Sequence, residues 1–175
     1  MDAHLHPGPP AYVFCPMCAG ALEWRLLGGR RRRACPACGF VHWQNPGVGA
    51  AAVVRDAEGR VLLVRRAEGA TRAGLWSVPA GFVDVGEDVR AAARRELEEE
   101  TGLVAEIGAV LQVASNFHDP AKPTVWVWFA ATVVGGALCP GDDADAAGFF
   151  ALEDLPDLAF PTDAALLEAL LADRK

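Results

Sequence analysis

The hydrophobic and polar positions along residues 46–175 follow two different periods. Short, mostly apolar segments bounded by Gly, Pro, Asn or Asp predict β-strands at 47–55, 60–66, 103–114, 124–134 and 148–152. Segments with apolar residues three or four positions apart predict helices at 88–101 and 162–173. Because the strands are mixed with one central and one terminal helix, the pattern indicates a layered α/β domain.

Two connections in this region have the composition of turns or loops. The four residues 56–59 join the first two strands, and their length and composition predict a β-hairpin. Residues 135–146 are rich in Gly and Asp and predict a loop before the last strand.

The cysteines form a metal-binding pattern near the N-terminus. Cys15 and Cys18 make one C-x2-C pair, Cys35 and Cys38 make a second, and 16 residues separate the pairs. Two such turns complete a tetrahedral sulfur site, so the spacing predicts structural zinc. Disulfides and a redox pair are the alternatives, although a segment this short has almost no core without zinc. Cys139 is unmatched, and we expect a small buried residue or a loop thiol.

The sequence between the two cysteine pairs predicts a small hairpin. Residues 22–27 form the first strand, Gly28 and Gly29 the turn, and Arg30–Arg33 the start of the returning strand. Four consecutive Arg residues could bind phosphates. Alternatively, they form a solvated hairpin edge whose charge discourages pairing with other strands.

Composition and charge divide the chain into two units. Of the 175 residues, 52% are hydrophobic and 22% are charged, which is enough for a core and excludes a disordered acidic tail. Residues 1–45 hold five Arg and two acidic residues, whereas residues 46–175 hold 11 basic and 21 acidic residues. We predict a flexible N-terminus over 1–11, a zinc ribbon over 12–45 and a second domain over 46–175.

The same composition restricts the partners. The net charge of −7 argues against general nucleic-acid affinity, so Arg30–Arg33 remain the region through which nucleic acid could bind. No apolar stretch reaches the roughly 18 residues of a membrane helix, and the first ten residues do not resemble a signal peptide. We therefore predict a cytoplasmic protein without a membrane partner, and leave a homodimer open.

The helix at 88–101 carries acidic residues where they reduce its stability. At helical spacing Glu96 faces Glu99 and Glu100, and each like-charged pair is destabilising by a few tenths of a kcal/mol. The helix dipole disfavours each anion in the last turns by roughly 0.3–1 kcal/mol. A divalent cation such as Mg²⁺ or Mn²⁺ on this face explains the arrangement, whereas Glu98 on another face is expected to be solvated. An ordinary solvated acidic face is the alternative.

Residues 81–103 resemble the Nudix box, G-x5-E-x7-R-E-U-x-E-E-x-G-U, in which U is aliphatic. Every fixed position is present, namely Gly81, Glu87, Arg95, Glu96, Leu97, Glu99, Glu100, Gly102 and Leu103. The resemblance implies an α/β/α sandwich with a mixed sheet, here preceded by a zinc ribbon. It also implies hydrolysis of a nucleoside diphosphate linked to another moiety.

The resemblance assigns roles to the residues of the box. Glu96, Glu99 and Glu100, with the Gly81 carbonyl, would bind Mg²⁺ or Mn²⁺, while Glu87 and Arg95 would orient the helix and its carboxylates. The general base stays open between Glu100, Glu96 and the downstream acidic residues Asp142, Asp143 and Asp145. Phe117 and Asp143 are the predicted substrate contacts, and His118 is expected to be an ordinary loop residue.

A zinc ribbon before a Nudix domain resembles two groups, the NADH pyrophosphatases and smaller hydrolases of ADP-ribose- or FAD-like dinucleotides. The first group carries an S-Q-P-W-P-F-P motif after the box, and this chain has SNFHDP instead. The resemblance therefore favours ADP-ribose or an FAD-like dinucleotide as the small-molecule substrate, with release of AMP. NADH hydrolysis, RNA-end hydrolysis and a nucleotide-sensing regulator that binds nucleic acid are the alternatives.

Overall fold

A computed structural model of the chain describes residues 12–117 and 122–172. The N-terminus at 1–11, predicted to be flexible, lies outside these described residues. The described residues form two compact units, one comprising 12–47, 117, 122 and 123, and the other comprising 48–116 and 124–172.

The first unit contains a two-stranded antiparallel sheet made of β1 (Glu23–Leu27) and β2 (Arg30–Ala34). Gly28 and Gly29 form the turn with φ values of 58° and 75°. A two-residue hairpin turn that matches the twist of its strands needs positive φ at both positions, which glycine adopts without strain. The predicted hairpin is confirmed.

The core of the first unit is small and includes two of the cysteines. Cys15, Leu22 and Cys35 are buried together, and the half-buried ring of Phe40 packs against them. Such a core buries little apolar surface, so the cysteine cluster has to contribute to the stability of this unit.

The described part of the second unit contains seven strands in two sheets, and the first residue of one of these strands, Gly47, belongs to the first unit. They are β3 (Gly47–Val54), β4 (Val61–Arg66), β5 (Trp76–Ser77), β6 (Ala80–Phe82), β7 (Leu103–Asn116), β8 (Thr124–Gly136) and β9 (Ala144–Phe150). One sheet has the order β6-β3-β8-β7 and the other has the order β5-β4-β9. In the second sheet β4 pairs antiparallel with both neighbours, whereas Trp76 forms a parallel bridge with Leu158, so the pairing is mixed.

β3 and β4 do not form the predicted hairpin. Their direct pairing is a single bridge between Arg55 and Val61, and beyond it the strands belong to different sheets. Residues 50–54 and 61–64 are buried on both faces, because each strand occupies the centre of its own sheet. The turn composition at 56–59 fits a hairpin and a crossing between sheets equally well, and the continuous apolar runs on both sides favour the crossing.

The two predicted helices are present. α1 (Val89–Thr101) begins after Asp88, whose carboxylate accepts hydrogen bonds from the first-turn N–H groups, and ends at Gly102 with φ 69°. α2 (Pro161–Ala172) starts one residue before its predicted beginning. Neither is long and apolar enough to cross a membrane, and the same holds for every helix among the described residues.

The helices cover opposite faces of the strands. Val53 belongs to the apolar cluster that contains Leu167 of α2, whereas its neighbour Val54 belongs to the cluster that contains Leu97 of α1. Successive side chains of a strand point to opposite faces, so the strands lie between the two helices. This is the predicted α/β/α arrangement.

The predicted loop at 135–146 is shorter in the structure. β8 extends to Gly136 and β9 begins at Ala144, so the connection covers only 137–143 and the last strand starts before its predicted position at 148. The glycine that indicated a loop serves a close contact instead, since a Cβ atom on Gly136 would lie 2.2 Å from the carbonyl oxygen of Gly102.

Candidate active site

Gly81 on β6 and Glu96 on α1 are in direct contact. A Cβ atom on Gly81 would collide with Cδ and Oε1 of Glu96, so any side chain at this position would displace the Glu96 carboxylate. Glu96 is 9% exposed, and its burial raises the pKa of the carboxyl group above its ordinary value. The fold therefore brings the box glycine and the first box glutamate together.

Glu100 is the most deeply buried acid of α1. It is 2% exposed, and its Oε2 accepts a hydrogen bond of 3.0 Å from the backbone N–H of Ala80. Burial raises the pKa of Glu100 to about 9, and the nearby carboxylate of Asp143 adds to this effect. Without a cation beside it, this carboxyl group therefore favours its protonated form at neutral pH.

Arg95 connects the acidic residues of the box. Its Nε and Nη2 donate to the two oxygens of Glu87 at 2.9 Å each, and its Nη1 donates to Glu96 at 2.7 Å and to Glu99 at 3.0 Å. Nη2 also donates to the carbonyl oxygen of Phe82 at 3.1 Å. The guanidinium group lowers the pKa of Glu87 to about 2. One side chain thus fixes three carboxylates and the backbone that follows Gly81.

The exposure of the glutamates separates those that face the fold from those that face solvent. The side chain of Glu99 is 46% exposed, and Glu98 is exposed on the face predicted for it.

The carboxylates of Glu96, Glu99 and Glu100 line one face but do not converge as tightly as the cysteines. Within the described part of the chain, only the cysteines bring three or more potential ligand atoms within 4.8 Å of one another.

The connection between β8 and β9 is fastened to the C-terminal end of α1. The N–H of Cys139 donates to the carbonyl oxygen of Thr101 at 2.9 Å, and the N–H of Gly141 donates to that of Glu100 at 3.2 Å. Cys139 is an exposed loop thiol, which was one of its two predicted environments.

This connection brings two of the three downstream acids to the box. Asp143 hydrogen-bonds Glu100, and its Oδ2 lies 3.3 Å from Nη2 of Arg66. Asp142 lies close enough to Glu96 to raise its pKa. Asp145 instead pairs with Arg65 at 2.7 Å.

Asp163 supports the site and was missed by the sequence analysis. This residue of α2 is 4% exposed, and its carboxylate accepts hydrogen bonds from the N–H of Val78 at 3.1 Å and from Nε1 of Trp128 at 3.0 Å. Val78 lies three residues before Gly81, so the carboxylate anchors the segment that reaches the box. Its position three and four residues before the buried Leu166 and Leu167 was the available signal of an inward-facing acid.

The remaining predicted contacts differ in their surroundings. Phe117 belongs to the first unit and is 70% exposed, so its role as a substrate contact stays a prediction. His118 lies outside the described residues. Trp128 is 2% exposed and belongs to the core, whereas Trp126 is half-buried.

The four cysteines of the first unit form a compact group. Sγ of Cys15 lies 3.5 Å from that of Cys38, and Sγ of Cys18 lies 3.5 Å from those of Cys35 and Cys38. Zinc bound tetrahedrally by sulfur at about 2.3 Å requires S···S distances of about 3.8 Å, so these thiols fit a single ion and not a pair of disulfides. The N–H groups of Cys38 and Ala37 help to lower the pKa of Cys35 to about 7, whereas side-chain hydrogen bonds with Cys18 and Cys15 raise the pKa of Cys38 to about 12, and a bound cation would favour the thiolate form of all four.

Comparison with known families agrees with this architecture. Residues 45–170 match the model of the NUDIX domain, and residues 13–44 match the zinc-ribbon model described as Nudix N-terminal. A mixed α/β sandwich carrying the box on one helix defines the class. The chain belongs to the Nudix hydrolase family, and its first unit is the zinc ribbon that the cysteine spacing predicted.

Individual relatives cover different parts of the chain. It is 40% identical over 106 residues to an ADP-ribose pyrophosphatase from Methanocaldococcus jannaschii, which aligns 60% of this chain with 62% of that protein. It is 31% identical over 164 residues to the NAD-capped RNA hydrolase NudC from Stutzerimonas stutzeri, which aligns 92% of this chain with 56% of that protein. The chain thus spans less than two thirds of either relative.

One solved structure aligns with nearly the whole chain, and therefore with residues of both units. The crystal structure of a Nudix hydrolase from Nitrosomonas europaea is 30% identical and gives a TM-score of 0.81, covering 93% of this chain and 92% of that one.

Proposed function

We propose that the chain is a Mg²⁺- or Mn²⁺-dependent hydrolase that cleaves the pyrophosphate bond of a nucleoside diphosphate linked to another moiety. The proposed substrate is ADP-ribose or an FAD-like dinucleotide, and AMP is the proposed nucleotide product. Membership of the Nudix hydrolase family supports the reaction class.

The burial of Glu100 is the observation that carries the proposal. Its hydrogen-bond partners are the N–H of Ala80 and the acid Asp143, and among the described residues none is cationic. Burying a carboxylate without a compensating charge is costly, because the ion loses its hydration. A hard divalent cation supplies that charge, and the available donors are all oxygens, which Mg²⁺ and Mn²⁺ prefer.

The proposed ligands are Glu96, Glu99, Glu100 and the carbonyl oxygen of Gly81. When bound, the metal ion supplies positive charge that offsets the charge of the pyrophosphate and lowers the pKa of water. Arg95 is a positioning residue, because it holds Glu96 and Glu99 through one nitrogen atom.

Other side chains complete the proposed machinery. Glu87 in turn fixes Arg95 through two hydrogen bonds. The proton acceptor for the attacking water is a carboxylate of the same face, with Glu96, Glu100 and Asp143 as candidates.

The substrate assignment rests on two observations. The relative from Methanocaldococcus jannaschii is named an ADP-ribose pyrophosphatase, and this chain lacks the S-Q-P-W-P-F-P motif after its box. We therefore infer that kcat/KM for ADP-ribose or FAD exceeds kcat/KM for NADH.

A second candidate substrate is NAD-capped RNA. The match to NudC extends over 92% of this chain, and so includes residues of the ribbon as well as of the Nudix domain. A nucleotide-sensing regulator without hydrolytic activity is the weaker alternative, since a sensor has no need for all the fixed positions of the box.

We also propose that Cys15, Cys18, Cys35 and Cys38 hold one structural zinc ion. The spacing of their sulfur atoms and the match to the zinc-ribbon model support this assignment. The ribbon would extend over 12–45 and the hydrolase domain over 46–175.

A product-resolved substrate screen tests the proposal. The purified chain is incubated with ADP-ribose, FAD, NADH and an NAD-capped RNA in Mg²⁺ or Mn²⁺, and products are separated by chromatography. We expect AMP from ADP-ribose or FAD in the presence of either metal, and no product when both metals are omitted. A clear preference for NADH or for nucleoside triphosphates would refute the substrate assignment, and no turnover of any pyrophosphate would refute the activity.

A further inference from the structure

We propose that the β1–β2 hairpin of the ribbon is a binding surface for single-stranded RNA, with Arg side chains on both of its faces contacting phosphates and the exposed rings contacting bases. This surface shares no residue with the proposed hydrolase site, and its occupancy requires no hydrolysis.

The charge of the hairpin has almost no internal compensation. Arg25 and Arg30–Arg33 lie on the two strands, and Glu23 is the acid that accompanies them, 3.9 Å from Arg25. Among the described residues no carboxylate lies within salt-bridge distance of Arg30–Arg33. A polyanion would supply the missing negative charge.

The strand register makes the repulsion stronger. Arg25 lies directly opposite Arg32 in the antiparallel pair, so their side chains project from the same face. Like charges in directly opposite positions destabilise a sheet. A hairpin that needed charge only to prevent edge pairing would place opposite charges at this position.

Aromatic rings hold the guanidinium groups in place. The guanidinium carbons of Arg31 and Arg33 lie 5.4 Å and 4.7 Å from the ring centroid of Trp24, and that of Arg32 lies 4.5 Å from the ring centroid of Trp43. Stacking restricts the side chains before any ligand binds, so less conformational entropy is lost when their N–H groups meet phosphates.

The rings themselves remain accessible. Trp24 is 44% exposed, Trp43 is 57% exposed, and Leu26, on the same face as Trp24, is 73% exposed. Aromatic side chains and guanidinium planes both stack on unpaired bases, which a single strand offers and a duplex does not. An acidic peptide would satisfy the charges but would leave the stacking surface without a matching ligand, and an anionic bilayer, which can also take up exposed Trp rings, is distinguished from RNA by the vesicle measurement below.

Fluorescence anisotropy with a labelled single-stranded RNA that carries a 5′-hydroxyl group tests this proposal. The full-length zinc-loaded chain is titrated without added Mg²⁺ or Mn²⁺ over a series of KCl concentrations. We compare the wild type with Arg30→Gln/Arg31→Gln, because both side chains are exposed and neither makes a hydrogen bond within the described residues. Arg55→Gln/Arg60→Gln removes the same charge from exposed positions of the other unit and serves as the matched control.

We expect the ribbon double variant to bind RNA on the order of ten-fold more weakly at low salt. Its slope of log K against log salt should be smaller by about 1.4, since each phosphate contact to a single strand contributes about 0.7. The control double variant should keep the wild-type affinity within two-fold. Trp24→Leu should weaken binding without changing the salt slope, because it removes a base contact and the stacking of Arg31 and Arg33 but leaves the number of charges that meet phosphates unchanged.

Two outcomes would overturn the proposal. Equal affinity losses in the two double variants would mean that RNA responds to net charge and not to the hairpin. An unchanged affinity in Trp24→Leu, together with Arg30- and Arg31-dependent binding to phosphatidylglycerol vesicles, would mean that the surface recognises an anionic membrane. Zinc content verifies that each variant keeps its ribbon. ADP-ribose turnover should be equal in all of them. Because RNA binding is measured without turnover, the binding result stays interpretable even if the hydrolase proposal fails.

Discussion

The acidic face of α1 and the basic hairpin of the ribbon both concentrate like charges, but the fold compensates only the first. On α1 the guanidinium of Arg95 lies among three carboxylates and donates a hydrogen bond to each. On the hairpin, Arg31, Arg32 and Arg33 stack on tryptophan rings and lack carboxylate partners within the described residues.

The difference corresponds to two kinds of ligand. Hydrogen bonds from Arg95 hold carboxylates in a fixed arrangement, which suits a small cation with strict ligand preferences. Guanidinium groups that stack on rings and have no carboxylate partner keep an uncompensated positive charge, which suits a flexible polyanion that binds in many registers. The presence or absence of a compensating charge within the fold therefore distinguishes the proposed catalytic site from the proposed docking surface.

Removing zinc should have the largest effect, because it unfolds the hairpin and leaves α1 folded. We expect about one zinc per chain, and its loss in Cys15→Ser/Cys35→Ser. Structural zinc provides roughly 10–16 kcal/mol of apparent binding free energy, far more than the small ribbon core can replace. Metal analysis and thermal melting should show an unfolded ribbon and a Nudix unit that still melts cooperatively.

Cys139→Ser is the control, since this exposed thiol lies outside the cluster and should keep both zinc and melting behaviour. Protein purified without chelator that contains no zinc, with its four ribbon thiols paired as disulfides, would contradict the prediction.

Substituting the box glutamates should affect activity and stability in opposite directions. Glu99→Gln removes repulsion at the end of the helix, whereas Glu100→Gln replaces a buried carboxyl group that is already neutral without metal, and its Gln can still accept the hydrogen bond from Ala80. We expect an unchanged or slightly higher Tm without metal, and a kcat lower by roughly 10²-fold or more at saturating Mg²⁺. The measurement pairs metal-free melting with single-turnover kinetics.

Glu98→Gln on the exposed face should leave Tm and kcat nearly unchanged. Arg95→Ala should lower kcat by an intermediate factor, because Arg95 orients ligands without being one. Glutamine variants that lose stability yet keep activity would show that these glutamates are structural.

Much of this architecture could be predicted because local signals and the fold agree. α1 lies within one residue of its predicted bounds at 88–101, with Asp88 and Gly102 as its caps, and the C-x2-C spacing located the four thiols that cluster in space. The box residues are fixed by helical spacing, so Arg95 could be expected to reach Glu99 one turn later.

The failures concern contacts between segments distant in sequence. The turn at 56–59 has the chemistry of a hairpin, yet only the packing of two sheets decides where the strands go. The short strands β5 and β6 consist of two and three residues, too few for a hydrophobic period, and exist because long neighbours pair with them. Asp163 is linked to Val78 across 85 positions, and no local pattern carries that contact.

A smaller effect on stability is expected from Asp163, the buried acid of α2. The pH dependence of this effect should distinguish Asp163 from the acids of α1. Burial raises the pKa of Asp163 to about 6 from an ordinary value of 3.8, so the folded state binds this proton more tightly than the unfolded state. Its contribution to stability is therefore greatest below about pH 4 and decreases as the pH rises to about 6.

Asp163→Asn cannot titrate, and its amide nitrogen would face one of the two N–H donors, so the variant should be less stable throughout by about 1–3 kcal/mol. The deficit should narrow between about pH 4 and pH 7, measured by urea denaturation. Asp154→Asn, at an exposed position, controls for the lost charge. A deficit that is constant or grows with pH would show that Asp163 is ionised in the fold throughout this range.

The smallest expected effect tests whether the hairpin really carries uncompensated repulsion. Arg25→Gln removes one member of the Arg25–Arg32 pair and sacrifices only a long, exposed ion pair with Glu23, which contributes little. Arg32 keeps its stacking on Trp43, so the change isolates the cross-strand charge. We expect the free energy of unfolding of the zinc-bound ribbon to rise by a few tenths of a kcal/mol at low salt, and this gain to vanish at high salt as the charges are screened.

Glu23→Gln, which removes the accompanying acid, should change stability in the opposite direction. A stability loss in Arg25→Gln that is independent of salt would mean that the Arg25 side chain stabilises the hairpin by packing, and that the two charged regions are not comparable.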